Sequence, residues 1–324
     1  MLSHLPIPIQ TRRHYYDLPP LKQKDRVLMT FTVKQTIASC GGKLLKLTHQ
    51  SQCTRTAMDL NVYLPKQFYR QEGASKKIPT IYYLSGLTCT PQNASEKAFW
   101  QPQADKYGFA VVFPDTSPRG DNVPDDPASS WDFGHGAGFY LNATRDPFME
   151  NYQMKAYVYE ELPKLLSQDV ELFQGKVDFL GNIAISGHSM GGMGALNGIF
   201  NYYNKYVSCS AFAPVVSPST VPWGKKAFSG YLQEQKEWAQ YDPCELVKNV
   251  ENSNEKNILI HVGSNDPFME QLKPALFLEN VKGTSWEKHV DLNIVEGFDH
   301  SYYFISTFVP EHAKFHAKYL GLLD

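Results

Sequence analysis

Gly187-His188-Ser189-Met190-Gly191 is a G-x-S-x-G pentapeptide with a mostly apolar run, Phe179 to Ile185, before it and a helix-compatible stretch, Gly191 to Tyr203, after it. Three fixed positions of this kind arise by accident about 0.1 times in a chain of this length, so the pentapeptide alone says little. A strand before it and a helix after it restrict the fold far more, because they make the serine the tip of a sharp strand-to-helix turn. Such a turn strains the serine backbone, and side chains at the flanking glycines would collide with the strand and helix that meet there. Ser189 is therefore a candidate nucleophile on an α/β sheet.

A serine nucleophile needs a base and an orienting acid, which in this architecture follow in the chain order Ser, Asp or Glu, His. Asn257 to Val262 reads as a buried strand running into the turn-forming Gly263-Ser264-Asn265-Asp266-Pro267, which places Asp266 just past the strand's carboxyl end. Val290 to Val295 is β-rich and ends in Glu296-Gly297-Phe298-Asp299-His300-Ser301, so His300 also falls on a loop after a strand. Asp266 is the expected acid and His300 the expected base.

The chain holds ten histidines, and each rival has a simpler reading. His261 lies inside an apolar strand and reads as a core imidazole. His188 sits within the elbow, where it could touch substrate while diverging from Ser189. His312 and His316 have a metal-compatible spacing without a third ligand or an H-E-x-x-H acid, so no metal is expected. Asp299 adjoins His300 and points elsewhere; Glu296 is the weaker alternative acid. The expected oxyanion donors are the Met190 N–H and the N–H of Leu87, where the apolar run Ile78 to Leu84 breaks at Ser85-Gly86-Leu87-Thr88-Cys89-Thr90.

The blocks Tyr83 to Thr90, Pro114-Asp115-Thr116-Ser117-Pro118-Arg119-Gly120, Trp131-Asp132-Phe133-Gly134, Gly187 to Gly192 and Gly297 to Phe304 together resemble the S-formylglutathione hydrolases, the esterase D family. The similarity begins near Phe31 and continues in order to the C-terminus. It implies hydrolysis of S-formylglutathione to glutathione and formate, the thioester step of formaldehyde detoxification, by a cytosolic homodimer without metal or organic cofactor. By position, the family's triad falls on Ser189, Asp266 and His300, and its oxyanion donors on Leu87 and Met190.

Substrate contacts are open in the sequence. Trp131 to Tyr140 and Pro222 to Phe228 read as aromatic loops that could wall a pocket through Trp131 and Trp223. Arg119, Lys225 and Lys226 are candidate partners for the carboxylates of glutathione. Cys89, two residues past Leu87, is a candidate thiol-sensitive position. The triad does not specify the leaving group, so a general carboxylesterase or an acyltransferase on this fold is the alternative reading, and a binding module on an inactive scaffold is the non-enzymatic one.

Composition narrows the class. The 324 residues, 42% apolar and 13% aromatic, suffice for one large core. Thirty-one Lys plus Arg against thirty-three Asp plus Glu leave no basic block, so no nucleic-acid partner is expected. Five scattered cysteines suit a reduced compartment better than a disulfide framework. No apolar run approaches about 18 residues, so no membrane span is expected. The proline- and charge-rich residues 1–30 are expected to be a disordered extension, with Arg12 and Arg13 only a weak hint of organelle targeting. Residues 31–324 are expected to form a single catalytic domain in the cytoplasm. Its fold class is an α/β-hydrolase fold: an open, mostly parallel twisted sheet with helices on both faces. Strands are expected at Val33 to Thr48, Met58 to Leu64 and Phe109 to Phe113, and helices at Tyr152 to Leu166 and Phe308 to Leu320.

Overall fold

Val33 to Thr48, read from sequence as one strand, is a hairpin: β1 (Thr32–Ser39) turns at Cys40 and Gly41 into β2 (Gly42–Gln50), and the two pair antiparallel. Cys40 adopts a positive φ of 52°, which the neighbouring glycines help the chain to reach. This is a computed structural model, and it describes residues 31–70 and 76–323. The expectation for residues 1–30 lies outside the described residues.

The remaining strands are β3 (Ala57–Leu64), β4 (Thr80–Leu84), β5 (Ala110–Pro114), β6 (Ile183–His188), β7 (Tyr206–Phe212), β8 (Ile258–Gly263) and β9 (Val290–Val295). They form a nine-stranded sheet in the order β1-β2-β3-β5-β4-β6-β7-β8-β9. β3 joins β5 antiparallel, and every pairing from β5 through β9 is parallel. β4, β5, β6 and β8 are buried along their whole length, as continuous apolar strands between two helical layers must be.

Five helices matter to the site: α1 (Pro91–Lys97), α2 (Trp100–Tyr107), α3 (Met190–Asn201), α4 (Pro222–Tyr231) and α5 (Tyr302–Tyr319). α3 covers one face, where a Cβ on Gly194 or Gly198 would reach Leu84 or Ile185. α5 covers the other, where His316 bonds Ser208 and Ser210 of β7 at 2.8 Å each. Pro222 to Phe228 is not the loop read from sequence. It opens α4, whose buried Trp223, Ala227, Phe228 and Tyr231 recur at helical spacing behind a proline at the first turn. The helix read over Tyr152 to Leu166 is α-helical at Met154–Ala156, widens to a π-helix over Tyr157–Glu161 and resumes at Leu162–Gln168.

Under α5 lies a layer of buried imidazoles. His261 Nδ1 meets His312 Nε2 at 2.9 Å, and His316 holds the two serines of β7. Burial lowers the pKa of His261 and His312 and takes His316 down to about 3. Unfolded, each titrates near the ordinary histidine value of about 6.5, so below that pH the unfolded chain binds more protons than the folded one. Stability is then fully present above about pH 6.5 and is lost as the pH falls, by up to about 1.4 kcal/mol per pH unit for each histidine. Asp115 and Asp242, raised by burial, act in the opposite sense at lower pH. Urea midpoints between pH 7.5 and 5 should fall steeply; a flat profile would mean that these rings are hydrated or paired as cations.

Candidate active site

β6 ends at His188, and Ser189 is its hinge into α3, with φ 57° and ψ −118°. That strained conformation is imposed from both sides. A Cβ on Gly187 would sit 2.1 Å from the Gly191 carbonyl oxygen, and one on Gly191 would sit 2.0 Å from the Leu84 carbonyl oxygen. The serine N–H donates to Phe212 O of β7 at 2.9 Å, which ties the turn to the sheet. Met190 is the first residue of α3, so its N–H lacks an intrahelical acceptor and the helix dipole adds positive potential there.

The loop after β4 closes against this elbow. A Cβ on Gly86 would lie 3.1 Å from Ser189 Cβ and 3.3 Å from His188 Nδ1, so Gly86 brings the Leu87 backbone beside the serine. Thr88 N–H donates to Gly136 O at 2.8 Å and Cys89 N–H to Gly86 O at 3.3 Å, fixing the loop on either side of Leu87. Among the described residues the Leu87 N–H has no acceptor.

Asp266 and His300, far apart in sequence, meet at the ends of β8 and β9. His300 Nδ1 lies 2.6 Å from Asp266 Oδ2, and the carboxylate is buried, its other oxygen accepting from the Phe268 N–H at 2.8 Å. A carboxylate accepts from Nδ1–H, which leaves Nε2 as the basic nitrogen. The His300 ring is 4.3 Å from the His188 ring, centroid to centroid, which brings it over the elbow. Asp299 instead holds Ser301 through its backbone N–H at 2.9 Å and its hydroxyl at 2.6 Å, and Glu296 is exposed. Within the layer under α5, His261 Nδ1 meets His312 Nε2 and both nitrogens of His316 bond serines, while His261 Nε2 lies 3.6 Å from Glu311 Oε2 and His312 Nδ1 has no partner among the described residues.

The substrate candidates separate into two groups. Trp131, half-exposed, packs edge-on against the buried Trp223 at 5.5 Å; Trp223 packs against Phe268 at 4.8 Å, and Phe268 meets the edge of His300 at 5.0 Å. An aromatic wall thus runs from the surface to His300. Phe268 escaped the sequence reading, although its position two residues past Asp266 was the available signal.

Two of the cations pair with carboxylates of the protein. Arg119 donates from Nε to the buried Asp115 at 3.0 Å and from Nη2 to Cys89 O at 3.1 Å, so it braces the Leu87 loop. Burial raises the Asp115 pKa, and the guanidinium opposes that shift. Lys226 binds Asp132, Ser130 and Asp126 and ties α4 to the Trp131 loop. Lys225 is exposed on α4. Cys89 is half-buried with Sγ 3.8 Å from Tyr302 Oη; burial raises its thiol pKa, while Tyr302 and Lys97 oppose.

The Esterase family model matches residues 51–315. The S-formylglutathione hydrolase of Saccharomyces cerevisiae is 60% identical over 297 residues, covering 90% of this chain and 99% of that protein. That of Rattus norvegicus is 44% identical over 286 residues, 87% of this chain and 96% of its own. Among solved structures, an S-formylglutathione hydrolase from Agrobacterium tumefaciens superposes with a TM-score of 0.81 at 40% identity, covering 89% of this chain and 99% of that one. A ferulic acid esterase, 15% identical with a TM-score of 0.65, shares the fold. A strained serine between two indispensable glycines, a buried carboxylate on a loop histidine and this degree of identity lead to one conclusion: the chain belongs to the S-formylglutathione hydrolase family of esterases.

Proposed function

We propose that this protein hydrolyses S-formylglutathione to glutathione and formate, with Ser189 as nucleophile, His300 as general base and Asp266 orienting the imidazole. The 2.6 Å contact between His300 Nδ1 and Asp266 in a chain 60% identical to a hydrolase of that name carries the reading. Ser189 Oγ attacks the formyl carbonyl as His300 Nε2 accepts its proton, and the glutathione thiolate leaves a formyl-serine. Water repeats the sequence and releases formate. The N–H groups of Leu87 and Met190 meet the oxyanion, worth about 3 kcal/mol per donor. No residue set in this chemistry requires a metal or organic cofactor. Residues 31–324 acting as one catalytic domain, a homodimeric assembly and a cytoplasmic role in formaldehyde detoxification complete the proposal; sedimentation and a tagged full-length chain test assembly and compartment.

The deciding experiment compares kcat/KM on S-formylglutathione, S-acetylglutathione and nitrophenyl acetate, with Ser189→Ala as the blank. A large formyl preference supports the proposal, and comparable constants make the protein a general carboxylesterase. The wall of Trp131, Trp223 and Phe268 narrows the acyl side. Trp223→Ile should raise activity on acetyl and butyryl esters relative to formyl by about tenfold. An unchanged acyl preference would remove Trp223 from the pocket. Of the cations, Lys225 remains for a glutathione carboxylate. Cys89 is the proposed site of thiol sensitivity, with slow modification at neutral pH because the raised pKa leaves little thiolate. Full activity after stoichiometric alkylation at Cys89 would refute that role.

A further inference from the structure

The register of β4 and β6 brings a set of polar groups together behind the elbow that the triad does not use. Tyr83 stands beside Ser186 and Leu84 beside Gly187. Neighbours across a parallel pair share a face, so one step further Ser85 and His188 stand side by side. Their face is the one under α5, because Ser186 Oγ meets Ser210 Oγ at 2.9 Å and Ser210 in turn meets His316 of α5. Tyr83 and Ser85 are wholly buried and His188 is 6% exposed. Tyr83 Oη, Ser85 Oγ and both ring nitrogens of His188 nevertheless have no hydrogen-bond partner among the described residues.

A buried polar atom without a partner is destabilising by about 1–3 kcal/mol, so four of them on neighbouring residues of one sheet face point to a ligand that hydrogen-bonds them. Burial and the nearby His300 hold the His188 pKa well below its ordinary value, so the ring is neutral, with one N–H donor and one acceptor. The complement of a neutral imidazole, a phenol and a hydroxyl is a small molecule that both donates and accepts. Water fits, since buried water typically makes about three hydrogen bonds to such groups. His188 also lies beside the proposed base. The His188 ring is 4.3 Å from that of His300 and 6.3 Å from that of Tyr302, and its Nδ1 faces the Gly86 turn.

We infer that His188, with Ser85 and Tyr83, holds ordered water beneath His300, and that His188 is a positioning residue for the second half-reaction, anchoring the water that attacks the acyl-enzyme. In that step the water oxygen bonds to the acyl carbon as His300 Nε2 takes one of its protons. The carbon–Oγ bond then breaks, His300 returns that proton to Ser189, and the acid departs as a carboxylate, releasing its own proton to solvent. The first half-reaction uses no water, so His188 serves the second alone.

This rests on the acyl-serine reading and is tested on nitrophenyl acetate, where it is independent of the glutathione assignment. The pre-steady-state burst reports acylation and the steady phase deacylation. His188→Leu should leave the burst rate near wild type and slow deacylation by about 10- to 100-fold, with KM falling in proportion. His188→Gln, which keeps a donor and an acceptor, should restore deacylation to within about threefold. Ser85→Ala and Tyr83→Phe, each removing one hydroxyl, should slow deacylation selectively and decide the matter if the leucine variant does not fold. Acylation and deacylation falling together, or deacylation unchanged in every folded variant, overturns the inference. Ser189-independent turnover would instead overturn the acyl-serine mechanism itself.

Discussion

Ser189→Ala should lower kcat/KM on thioester and oxygen ester alike by on the order of 10⁵-fold or more, with Asp266→Asn close behind at about 10⁴-fold. The ranking follows from geometry. Without Oγ there is no covalent intermediate, and what survives is binding plus the Leu87 and Met190 N–H groups acting on a bound water. Asp266→Asn keeps the shape of the site while its amide offers an N–H to His300 Nδ1, which favours the tautomer with the proton on Nε2. The base is then protonated on the nitrogen that must accept. The 2.6 Å contact makes this substitution informative, because the partner is fully buried and no other carboxylate bonds that nitrogen. A thiolate leaves more readily than an alkoxide, so the oxygen ester should lose at least as much as the thioester. Paired rates on S-formylglutathione and an alkyl ester, whose leaving group is an alkoxide, check this, and a selectively larger thioester loss would contradict it. Asp266→Asn activity within about tenfold of wild type would move the orienting role to another group.

Gly191→Ala should prevent the native elbow from forming, with destabilisation above about 3 kcal/mol or failure to fold. A single methyl group has this effect because of what it meets. The Cβ would stand 2.0 Å from Leu84 O and 2.5 Å from Ser85 O, backbone atoms of the central strand that cannot rotate away as a side chain would. Relief would require α3 to separate from β4, moving Met190 and Leu87 apart and opening the oxyanion site. Surviving protein should therefore lose most of its activity as well as its stability. Gly283→Ala is the control, since a Cβ there meets nothing within 4 Å, although its φ of +74° adds a small strain. Thermal unfolding of both variants reads the difference; equal melting temperatures would show that the sheet tolerates the displacement.

The site was legible in sequence where chemistry and chain order coincide. The elbow declares itself because glycines flank a serine between an apolar strand and a helix, and Asp266 and His300 each follow a strand, so their placement needed only the order of elements. The hairpin at Cys40 was missed because Gly41-Gly42, the turn signal between two β-compatible stretches, was read through as part of one strand. α4 was missed because its residues are few, begin at a proline and carry glycine and lysine, so a short window reads as a turn. Arg119 and Lys226 looked like free cations because sequence shows a charge without its partners. Asp115 lies four residues before Arg119, while Asp126 and Asp132 reach Lys226 only when the Trp131 loop folds over α4.

Sequence alone determined the fold class, the family and the chain order of Ser189, Asp266 and His300, because these rest on local backbone demands and on the succession of strands and helices. Tertiary structure decided what long-range contact sets: that His300 meets Asp266 and not Asp299, that Phe268 completes the aromatic wall, and that Arg119 braces a loop. It also decided that His188 lies buried beside His300 with neither ring nitrogen partnered among the described residues. The physical reason is common to all of these. Hydrogen bonds, burial and ring contacts act through space between residues that the chain places far apart, and only the closed sheet brings them within reach.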